Sequence, residues 1–431
     1  YQGNIPTFWL ASKSPPEAHL WMAEGFAGTI QPWWHHISAY NEDRRQYQTA
    51  QSLMGWHAAN DEYLINRTPV ASVGVVWSQE NIDFFGKDTH EESVMWPYEG
   101  MIQALIHARI PYIPVHADHI ARDSDMLSLL ILPNLAALSD QQIEQIRDFV
   151  ANGGSVVATG ETSHFDEWGQ RRSDFALADV FGVSHLSDHV GHTGVAAPTW
   201  EAYDHHSYLR LHPEQRETVY GPKIGGILSF TDARHDILDG FEATDILPFG
   251  GRLENVNITH DASIPVTFIP AFPIYPPEFA WMRNSDSGKP VVVLRELTGG
   301  GRVVYLAGDI DRCFRRDNLP DHGDLLANLI RWAANGRIPL EVNGPGLVDC
   351  QIYRQPGRLI MHLVNLTGTA QEPLHEIVPV GPLQVRVRGR GIVRSLVTSQ
   401  AISTTYQDDW LVFELPRLEM HDVLVLSLIH I

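Results

Sequence analysis

The sequence has 431 residues, of which 44% are hydrophobic and 19% are charged, a composition typical of a folded chain with two or three domains. Its 52 acidic residues outnumber its 31 basic residues, so the formal net charge is −21. This charge argues against nucleic acid as a partner, because a phosphate backbone would be repelled. Apolar runs fall short of the roughly 20 residues that a membrane helix needs, so no membrane partner is expected.

Cysteine usage and the first residue bear on the cellular location. The chain has 2 cysteines, Cys313 and Cys350, so neither a disulfide framework nor a cysteine-rich metal site is expected. This usage slightly favours a cytoplasmic location. The sequence starts at Tyr1 without a methionine, so we expect the natural N-terminus to lie upstream, and the location stays open.

The first elements in the chain predict the end of an α/β barrel. A short extended segment over 4–12 precedes Glu17–Ala27, where apolar residues fall at helical spacing. The stretch Thr29–Trp34 predicts a strand, and a second helix is predicted over Asp43–Ile65. This order of strand, helix, strand, loop and helix is the repeating unit of a (β/α)8 barrel.

From Pro69 the pattern changes to that of a doubly wound α/β domain. The continuous apolar run Ala71–Trp77 is typical of a parallel strand that is buried on both faces. Ser139 and Gln142 have the spacing of a capping box at the start of a helix. Residues 185–290 are the least regular part, rich in His, Pro and Gly, and their short strand-like runs predict an elaboration of the sheet. Further strands of this domain are predicted at Tyr112–His116, Leu127–Leu132, Ser155–Thr159, Val291–Leu294 and Arg302–Ala307.

After Pro339 the apolar and polar residues alternate with the two-residue period of β-strands. Several such strands in succession predict a small β-sandwich. Its predicted strands are Gln351–Tyr353, Leu359–Asn365, Leu383–Arg388, Trp410–Leu415 and Val423–Leu428. We therefore expect three parts: a barrel remnant over 1–66, an α/β domain over 67–337 and a β-sandwich over 338–431.

Aromatic and imidazole side chains cluster at the end of the predicted strand Thr29–Trp34. An aromatic face stacks on the apolar C–H face of a pyranose while an imidazole bonds its hydroxyls, so these side chains could line a sugar subsite. They are Trp33, Trp34, His35 and His36. The alternative is an aromatic plug of the barrel with incidental histidines. The nearby Glu42–Arg45 fits either the mouth of the same site or the solvated start of a helix.

Polar side chains follow the predicted strands of the middle domain, where the carboxyl ends of parallel strands form a crevice. The candidate ligand-binding residues there are Gln79, Asn81, Glu161 and Asp309. Glu278 lies in the aromatic loop Pro273–Arg283 and could reach a ligand or a neighbouring subunit. Proline and aromatic residues together more often fix a loop, so structural packing is the alternative for this loop.

Three further chemistries find little support in the sequence. An amidotransferase nucleophile needs G-x-C-x-G, and the turn Gly160–Ser163 has no cysteine. Gly299–Gly301 precedes a strand and not a helix, so it does not match a phosphate-binding loop, and no cofactor is expected. His116, Asp118 and His119 have metal-binding chemistry, but no further ligand follows at a suitable spacing, and we assign no metal.

Several motifs resemble one enzyme family. Lys13–His36, with its K-x-P-x-E start, is similar to the last barrel unit of β-galactosidases of glycoside hydrolase family 42. Pro69–Arg337 resembles the trimerisation domain that follows their barrel, and 338–431 resembles their terminal β-sandwich. Hypothetical glycosyl hydrolase relatives that carry the same domain are similar in the segments VGVVWSQENIDFFGKD, PYIPVHADHI, VATGETSHFDEWG, PIYPPEFAWMR and MHLVNLTG.

The resemblance implies a fold, an activity and an assembly. The fold would be the end of a TIM barrel, then a flavodoxin-like or class I amidotransferase-like domain, then a β-sandwich. The parent would be a retaining, β-galactosidase-like hydrolase that acts on a carbohydrate and forms a homotrimer. The family's nucleophile lies just ahead of the segment that matches Phe8–Lys13, and its acid/base lies further upstream. We therefore expect no catalytic residue in this chain and an inactive fragment, and Glu17 and Glu24 receive no catalytic role. The alternative is a non-catalytic assembly or ligand-binding module of amidotransferase-like fold.

Overall fold

The computed structural model describes residues 14–31, 33–34, 42–191, 206–211, 234–369 and 373–428. The chain divides into two compact units. The smaller unit contains Tyr1–Ala71, Arg109–Pro111 and Pro339–Ile431, and the larger unit contains Ser72–Ala108 and Tyr112–Ile338. Among the described residues, no helix combines the length and the apolar character that crossing a membrane requires.

Helices and strands occur in both units. The described α-helices are α1 (Pro15–Ala27), α2 (Arg45–Ala59), α3 (Asp61–Leu64), α4 (Trp96–His107), α5 (Ile120–Asp123), α6 (Asp140–Ala151), α7 (Ala178–Phe181), α8 (Ile310–Asp317) and α9 (Pro320–Ala334). The described strands are β1 (Thr68–Pro69), β2 (Val73–Trp77), β3 (Tyr112–His116), β4 (Leu129–Leu132), β5 (Ser155–Thr159), β6 (Val183–Gly191), β7 (Tyr208–Leu211), β8 (Ile246–Pro248), β9 (Arg252–Ile258), β10 (Ser263–Ile269), β11 (Pro290–Glu296), β12 (Arg302–Leu306), β13 (Leu340–Asn343), β14 (Val348–Gln355), β15 (Arg358–Asn365), β16 (Leu383–Arg388), β17 (Gly391–Ser395), β18 (Ala401–Ile402), β19 (Thr404–Gln407), β20 (Trp410–Leu415) and β21 (His421–Leu428).

The larger unit is built on a nine-stranded mixed sheet with the order β3-β2-β4-β5-β12-β11-β10-β7-β8. The strands from β3 to β12 are parallel, and each later strand is antiparallel to its neighbour. All residues of β4 and β5 are buried, as continuous apolar runs predict for parallel strands. A separate ladder joins β6 to β9. The predicted strands of this unit are confirmed with small shifts at their ends.

The start of α6 shows how local sequence fixes an element. The hydroxyl of Ser139 accepts a hydrogen bond from the backbone N–H of Gln142 at 3.2 Å. In return, Oε1 of Gln142 accepts one from the backbone N–H of Ser139 at 2.9 Å. The predicted capping box is therefore confirmed, and it satisfies two N–H groups that an uncapped helix start would leave unpaired.

Two antiparallel sheets form most of the smaller unit. One has six strands in the order β1-β14-β15-β21-β17-β18, and the other has four in the order β13-β16-β20-β19. One hydrophobic core joins them, with Ile352 and Met361 from the first sheet and Val385 and Phe413 from the second. In β16 the side chains alternate between buried and partly or fully exposed, which is the period that predicted this strand.

The helices near the start of the chain cover the other face of the six-stranded sheet. Trp56 of α2 and Leu64 of α3 pack in a second cluster with Tyr353, Ile360 and Val423. His19 of α1 lies 2.8 Å from the carbonyl oxygen of Thr49 in α2, measured from its Nε2. Both predicted helices are therefore present, although the second ends earlier than predicted.

The predicted strand Thr29–Trp34 is wrong. The backbone N–H of Gly28 bonds the carbonyl of Glu24 at 2.8 Å, and the chain turns at Thr29, whose φ is +70°. The described residues of this stretch after the turn belong to no strand. An apolar run forms a strand only where a neighbouring strand pairs with it, and sequence pattern alone does not supply that neighbour. The extended segment predicted over 4–12 lies outside the described residues.

Candidate functional site

An open cavity of about 310 Å³ lies at the carboxyl ends of the parallel strands in the larger unit. Its walls come from the loops that follow β4, β5 and β12, from β9, and from the turns before α4. We call it the carboxyl-edge cavity; its main lining residues are Thr89, Glu92, Ser93, Asn134, Arg252, Glu254, Asp309 and Arg312. This is the edge of the sheet at which open α/β domains bind ligands, although the switch point of the strand order lies between β2 and β4.

Arg252 is the centre of the charge network in this cavity. Its guanidinium forms ion pairs with Glu161 and with Glu254, the latter at 2.9 Å between Nη2 and Oε1. Its backbone N–H donates a 2.8 Å hydrogen bond to Oδ1 of Asp309. The other oxygen of Asp309 accepts a hydrogen bond from Nε of Arg312 at 2.6 Å. Two guanidiniums and three carboxylates thus form one connected network.

Burial changes the proton affinity of several groups near the cavity. Burial raises the pKa of Glu254 to about 7, although the charge of Arg252 acts in the opposite direction. For Arg252 itself, burial lowers the pKa, but the carboxylates of Glu161 and Glu254 outweigh it and the pKa rises. The arginine therefore stays charged, while Glu254 titrates near neutral pH.

Asn134 holds three of the surrounding loops in place. Its backbone N–H donates to the hydroxyl of Thr159 at 2.8 Å. Its side-chain Oδ1 accepts from the backbone N–H of Glu161 at 2.8 Å, and its Nδ2 donates to the carbonyl of Ser93 at 2.7 Å. Gly160 has φ +56°, and a Cβ there would lie 2.5 Å from Oδ1 of Asn134. Glycine is therefore required both by the backbone conformation and by the close approach.

A second, apolar recess of about 260 Å³ lies at the ends of β2 and β4. Its lining includes Val76, Trp77, Val94, Tyr98 and Leu135. Burial raises the pKa of Tyr98 to about 12, so its hydroxyl stays protonated at neutral pH. Residues four apart in a helical segment lie on the same face of that segment. The turn Glu91–Met95 and the start of α4 therefore present one face to the carboxyl-edge cavity and another face to the apolar recess.

Two of the five predicted crevice residues meet in the charge network around Arg252. Glu161 and Asp309 both contact Arg252, the first through its side chain and the second through the backbone N–H. Asn81 is buried, and its Nδ2 donates to the carbonyl of Asn134 at 3.1 Å. It supports the loop after β4 and lines the apolar recess, not the carboxyl-edge cavity.

The other two predicted residues lie at the surface. Gln79 is exposed and donates a 3.0 Å hydrogen bond to Asp83. Glu278 is also exposed, on the short 3-10 turn Pro277–Phe279, and lines neither cavity. The aromatic side chains of Tyr275 and Trp281 beside it are exposed as well. The roles predicted for Gln79 and Glu278 stay predictions.

The proposed sugar subsite near the start of the chain is only partly described. Trp33 is 75% exposed and Trp34 is half-buried. His35 and His36 lie outside the described residues. Asp43 binds Arg45 at 2.7 Å at the start of α2, a contact between two members of the acidic and basic group named above. The sugar-binding role of the aromatic and imidazole residues stays a prediction.

Sequence reasoning missed Arg252 and Glu254. Both belong to β9, within the 185–290 stretch, where strand-like runs were predicted without bounds for any individual strand. One signal was available: residues two apart in a strand face the same side, so the Arg-x-Glu spacing of Arg252 and Glu254 fits an ion pair on one face of a strand. The strand was not recognised, so the pair was not either.

The histidines at the end of β3 form local contacts. Nδ1 of His116 accepts a hydrogen bond from the backbone N–H of Asp118 at 3.2 Å, and Gln142 donates to Oδ1 of Asp118 at 2.8 Å. In the part of the chain that the structure describes, no group of three or more His, Cys, Asp or Glu side chains could hold a metal ion. These contacts fit a structural role, in which hydrogen bonds hold the side chains at the end of β3.

Comparison with known protein families finds a match for part of the chain. Residues 71–193 match the family described as the β-galactosidase trimerisation domain. Ser93, Asn134 and Glu161 belong to the matched segment, whereas Arg252 and Asp309 come later in the chain. The carboxyl-edge cavity is therefore completed by residues outside the matched segment. Among proteins with curated descriptions, none matches the chain.

Solved structures show the same fold over nearly the whole chain. An α-L-fucosidase from Paenibacillus thiaminolyticus has a TM-score of 0.68 and 16% identity, over 97% of this chain and 58% of its own. A β-galactosidase from Bacillus circulans sp. alkalophilus has a TM-score of 0.64 and 15% identity, over 96% and 52%. A β-galactosidase from Rahnella sp. R3 has a TM-score of 0.60 and 16% identity, over 99% and 53%. The chain thus spans little more than half the length of these enzymes.

Proposed function

We propose that this chain is the C-terminal part of a retaining glycoside hydrolase of the β-galactosidase type, which removes terminal sugars from oligosaccharides or glycosides. The observation that carries the proposal is the trimerisation domain at 71–193, together with likeness to a β-galactosidase over 96% of the chain. Function does not follow from fold alone, so the proposal rests on the combination of this domain with the order of the units.

The architecture supports specific parts for this chain. We infer that 1–66 is the end of the catalytic barrel, 67–337 the trimerisation-type domain and 338–431 the terminal β-sandwich. The parallel order β3-β2-β4-β5-β12 is the 2-1-3-4-5 order of flavodoxin-like domains, which favours a doubly wound middle domain. The two sheets that share one core favour the sandwich.

The chemistry of retention requires two carboxyl groups about 5 to 5.5 Å apart. We propose that both come from barrel strands outside this chain. Glu24, on α1, has a pKa that burial raises to about 7, with the charge of Asp349 acting in the same direction. A carboxyl group packed near a strand of the six-stranded sheet is a poor candidate for a nucleophile in a barrel. In the parent, Trp33, Trp34, His35 and His36 would shape the sugar subsite.

Hydrolysis of aryl glycosides by two proteins tests this function. One protein is the chain itself, and the other is the chain joined to its upstream reading frame. We expect only the longer protein to release the aryl group from an aryl β-D-galactoside. Activity of the chain alone would contradict the placement of both carboxylates upstream, and an inactive longer protein would contradict the β-galactosidase proposal.

An α-L-fucosidase is the second candidate, because the fold likeness to the Paenibacillus enzyme has a TM-score of 0.68. The same longer protein is therefore assayed on an aryl α-L-fucoside. Cleavage of the fucoside without cleavage of the galactoside would select this candidate. Cleavage of neither glycoside by a protein that still assembles would favour the non-catalytic assembly or ligand-binding module.

We propose further that the chain forms a homotrimer. The matched domain supports this assembly, and one loop exposes three aromatic side chains, Tyr275, Phe279 and Trp281, as residues at protein contacts often are before assembly. Sedimentation velocity should give about three times the mass of one chain. Replacing Phe279 and Trp281 by serine should weaken assembly, whereas the exposed Ile392→Ser control should not. A monomeric wild-type chain would contradict the proposal.

A further inference from the structure

The carboxyl-edge cavity has the size of a binding site for one small molecule, and charged and polar side chains share its lining with apolar surface. Its volume of about 310 Å³ lies at the lower end of the range for ligand pockets. Arg252, Glu254, Asp309 and Asn134 all reach its walls. We propose that this cavity binds a neutral monosaccharide. This inference concerns the larger unit alone and does not rest on the hydrolase function proposed above.

The charges in the cavity disfavour an anionic ligand. The guanidinium of Arg252 already binds Glu161 and Glu254, and that of Arg312 binds Asp309. A phosphate or carboxylate would compete with these carboxylates for the two guanidiniums. It would also approach Glu92 and Asp309, two acidic side chains of the lining. These acidic side chains disfavour an anion in the cavity.

A metal ion is disfavoured by the same network. The three carboxylates that a divalent cation would use are those of Glu161, Glu254 and Asp309, and Arg252 contacts all three residues. Its guanidinium binds Glu161 and Glu254, and its backbone N–H binds Asp309. The guanidinium thus takes the place of a cation between the two glutamates, consistent with the raised pKa of the arginine.

Neutral hydroxyl groups fit this lining. Planar carboxylate and guanidinium groups present acceptors and donors side by side, so one such group can contact two neighbouring hydroxyls of a sugar ring. Glu92, Asp309 and Arg252 supply these groups. Thr89 and Ser93 add hydroxyls at the wall formed by the turns before α4. Each hydroxyl of a monosaccharide both donates and accepts hydrogen bonds, so it can bond to carboxylates and to guanidiniums. Binding of the sugar adds no net charge to the cavity.

The cavity walls are held in place without a ligand. The loops after β4 and β5 are tied by Asn134, which bonds the hydroxyl of Thr159 and the backbone N–H of Glu161. The loop after β12 is tied to β9 through Asp309, which bonds both Arg252 and Arg312. A preformed site loses less conformational entropy when it binds a ligand, which favours the binding of a small molecule that makes few contacts.

Isothermal titration calorimetry of the full chain with D-galactose and L-fucose tests the proposal, with inorganic phosphate as the anionic comparison. We expect saturable binding of at least one sugar and none of phosphate. Thr89 is exposed at the cavity wall, so Thr89→Trp should obstruct the cavity without disturbing the core. Asp88→Trp is the matched control, since Asp88 is exposed in the same 3-10 turn and does not line the cavity.

A second pair of variants removes one charged acceptor. Glu92→Gln should weaken sugar binding about tenfold, the effect of losing one hydrogen bond to a charged group. Glu91→Gln is its control, because Glu91 is exposed next in sequence and does not line the cavity. Unfolding of each variant by urea confirms that it is folded, so that a loss of binding is not mistaken for a loss of structure.

Four outcomes would overturn the proposal. These are no saturable binding of either sugar, binding of phosphate in preference to sugar, sugar affinity unchanged by both Thr89→Trp and Glu92→Gln, and sugar affinity lost in Trp34→Ala but kept in Thr89→Trp. The last outcome would place sugar binding at the start of the chain instead. Because this assay uses the chain alone and measures no hydrolysis, its failure is distinct from failure of the hydrolase proposal.

Discussion

The hydroxyl of Thr159 donates a 2.6 Å hydrogen bond to Oδ2 of Asp311, and both side chains are fully buried. Burial raises the pKa of Asp311 to about 7, although the hydrogen bonds from Thr159 and from the backbone N–H of Arg312 act in the opposite direction. The end of β5 is thus joined to α8 through a carboxyl group that holds its proton up to neutral pH.

Asp311 should make the stability of the larger unit depend on pH. Its folded pKa of about 7 lies above the value near 3.8 of an unperturbed aspartate, so its contribution is fully present below about pH 4 and is lost as pH rises to about 7. The loss is at most about 4 kcal/mol. Asp311→Asn lacks this titration and should gain stability relative to the wild type from pH 4 to pH 8. Urea unfolding across that range measures the difference. Asp125→Asn, at an exposed position, should show no such trend. A flat difference for Asp311→Asn would show that the carboxyl group is ionised throughout.

Loss of Arg252 should destabilise the larger unit strongly. Arg252→Ala removes the ion pair between Arg252 and the buried Glu254 and leaves Glu254 its longer contact with His185, and breaking a buried pair costs about 3 to 5 kcal/mol. The exposed pair Arg417 and Glu419 provides a control, since Arg417→Ala should change the free energy of unfolding by less than about 1 kcal/mol. Equal effects of the two substitutions on urea unfolding would contradict a structural role for the network.

Two glycines with positive φ allow the stability cost of backbone strain to be measured separately from the cost of steric contact. Gly160 and Gly240 both have positive φ, but a Cβ at Gly160 would meet Asn134 while one at Gly240 would meet nothing within 4 Å. Gly240→Ala should therefore cost about 1 kcal/mol, from backbone strain alone. Gly160→Ala should cost about 1 to 3 kcal/mol more, the range for overpacking a filled site. Equal losses of stability in the two variants on thermal unfolding would contradict the close approach of Asn134 to Gly160.

The capping box of α6 offers a smaller, local test. Ser139→Ala removes the acceptor for the backbone N–H of Gln142 and should lower the free energy of unfolding by about 1 kcal/mol. Ser139→Thr keeps a hydroxyl at the cap and should lose much less. If the alanine and threonine variants unfolded at the same urea concentration, the cap hydroxyl would have no net effect.

The sequence predicted those parts of the fold that local pattern determines. β4 and β5 are continuous apolar runs, and the cap of α6 is a four-residue motif, so both were recognisable without any knowledge of distant residues. The strand expected over Thr29–Trp34 failed because strand formation depends on a pairing partner elsewhere in the chain. A local pattern can be recognised from adjacent residues. The pairing of strands depends on residues that are distant in the sequence, so it cannot be recognised in this way.

The candidate site was predictable in part for the same reason. Glu161 and Asp309 follow recognisable parallel strands, so their convergence at one sheet edge could be expected. Arg252, which brings them together, lies on β9 within a stretch without clear periodicity. Its role depends on a ladder with β6, which lies much earlier in the sequence, and such long-range pairing leaves little trace in adjacent residues.

The walls of the carboxyl-edge cavity come from positions near both ends of the larger unit, with Ser93 early in its sequence and Arg312 late. A molecule that contacts both would connect segments from the early and the late part of the unit, and it would not stabilise one loop alone. Binding would then oppose global opening of the sheet, and hydrogen exchange would slow in strands far from the ligand as much as in those that touch it. In this way, occupancy of a small cavity would set how long the entire unit stays closed.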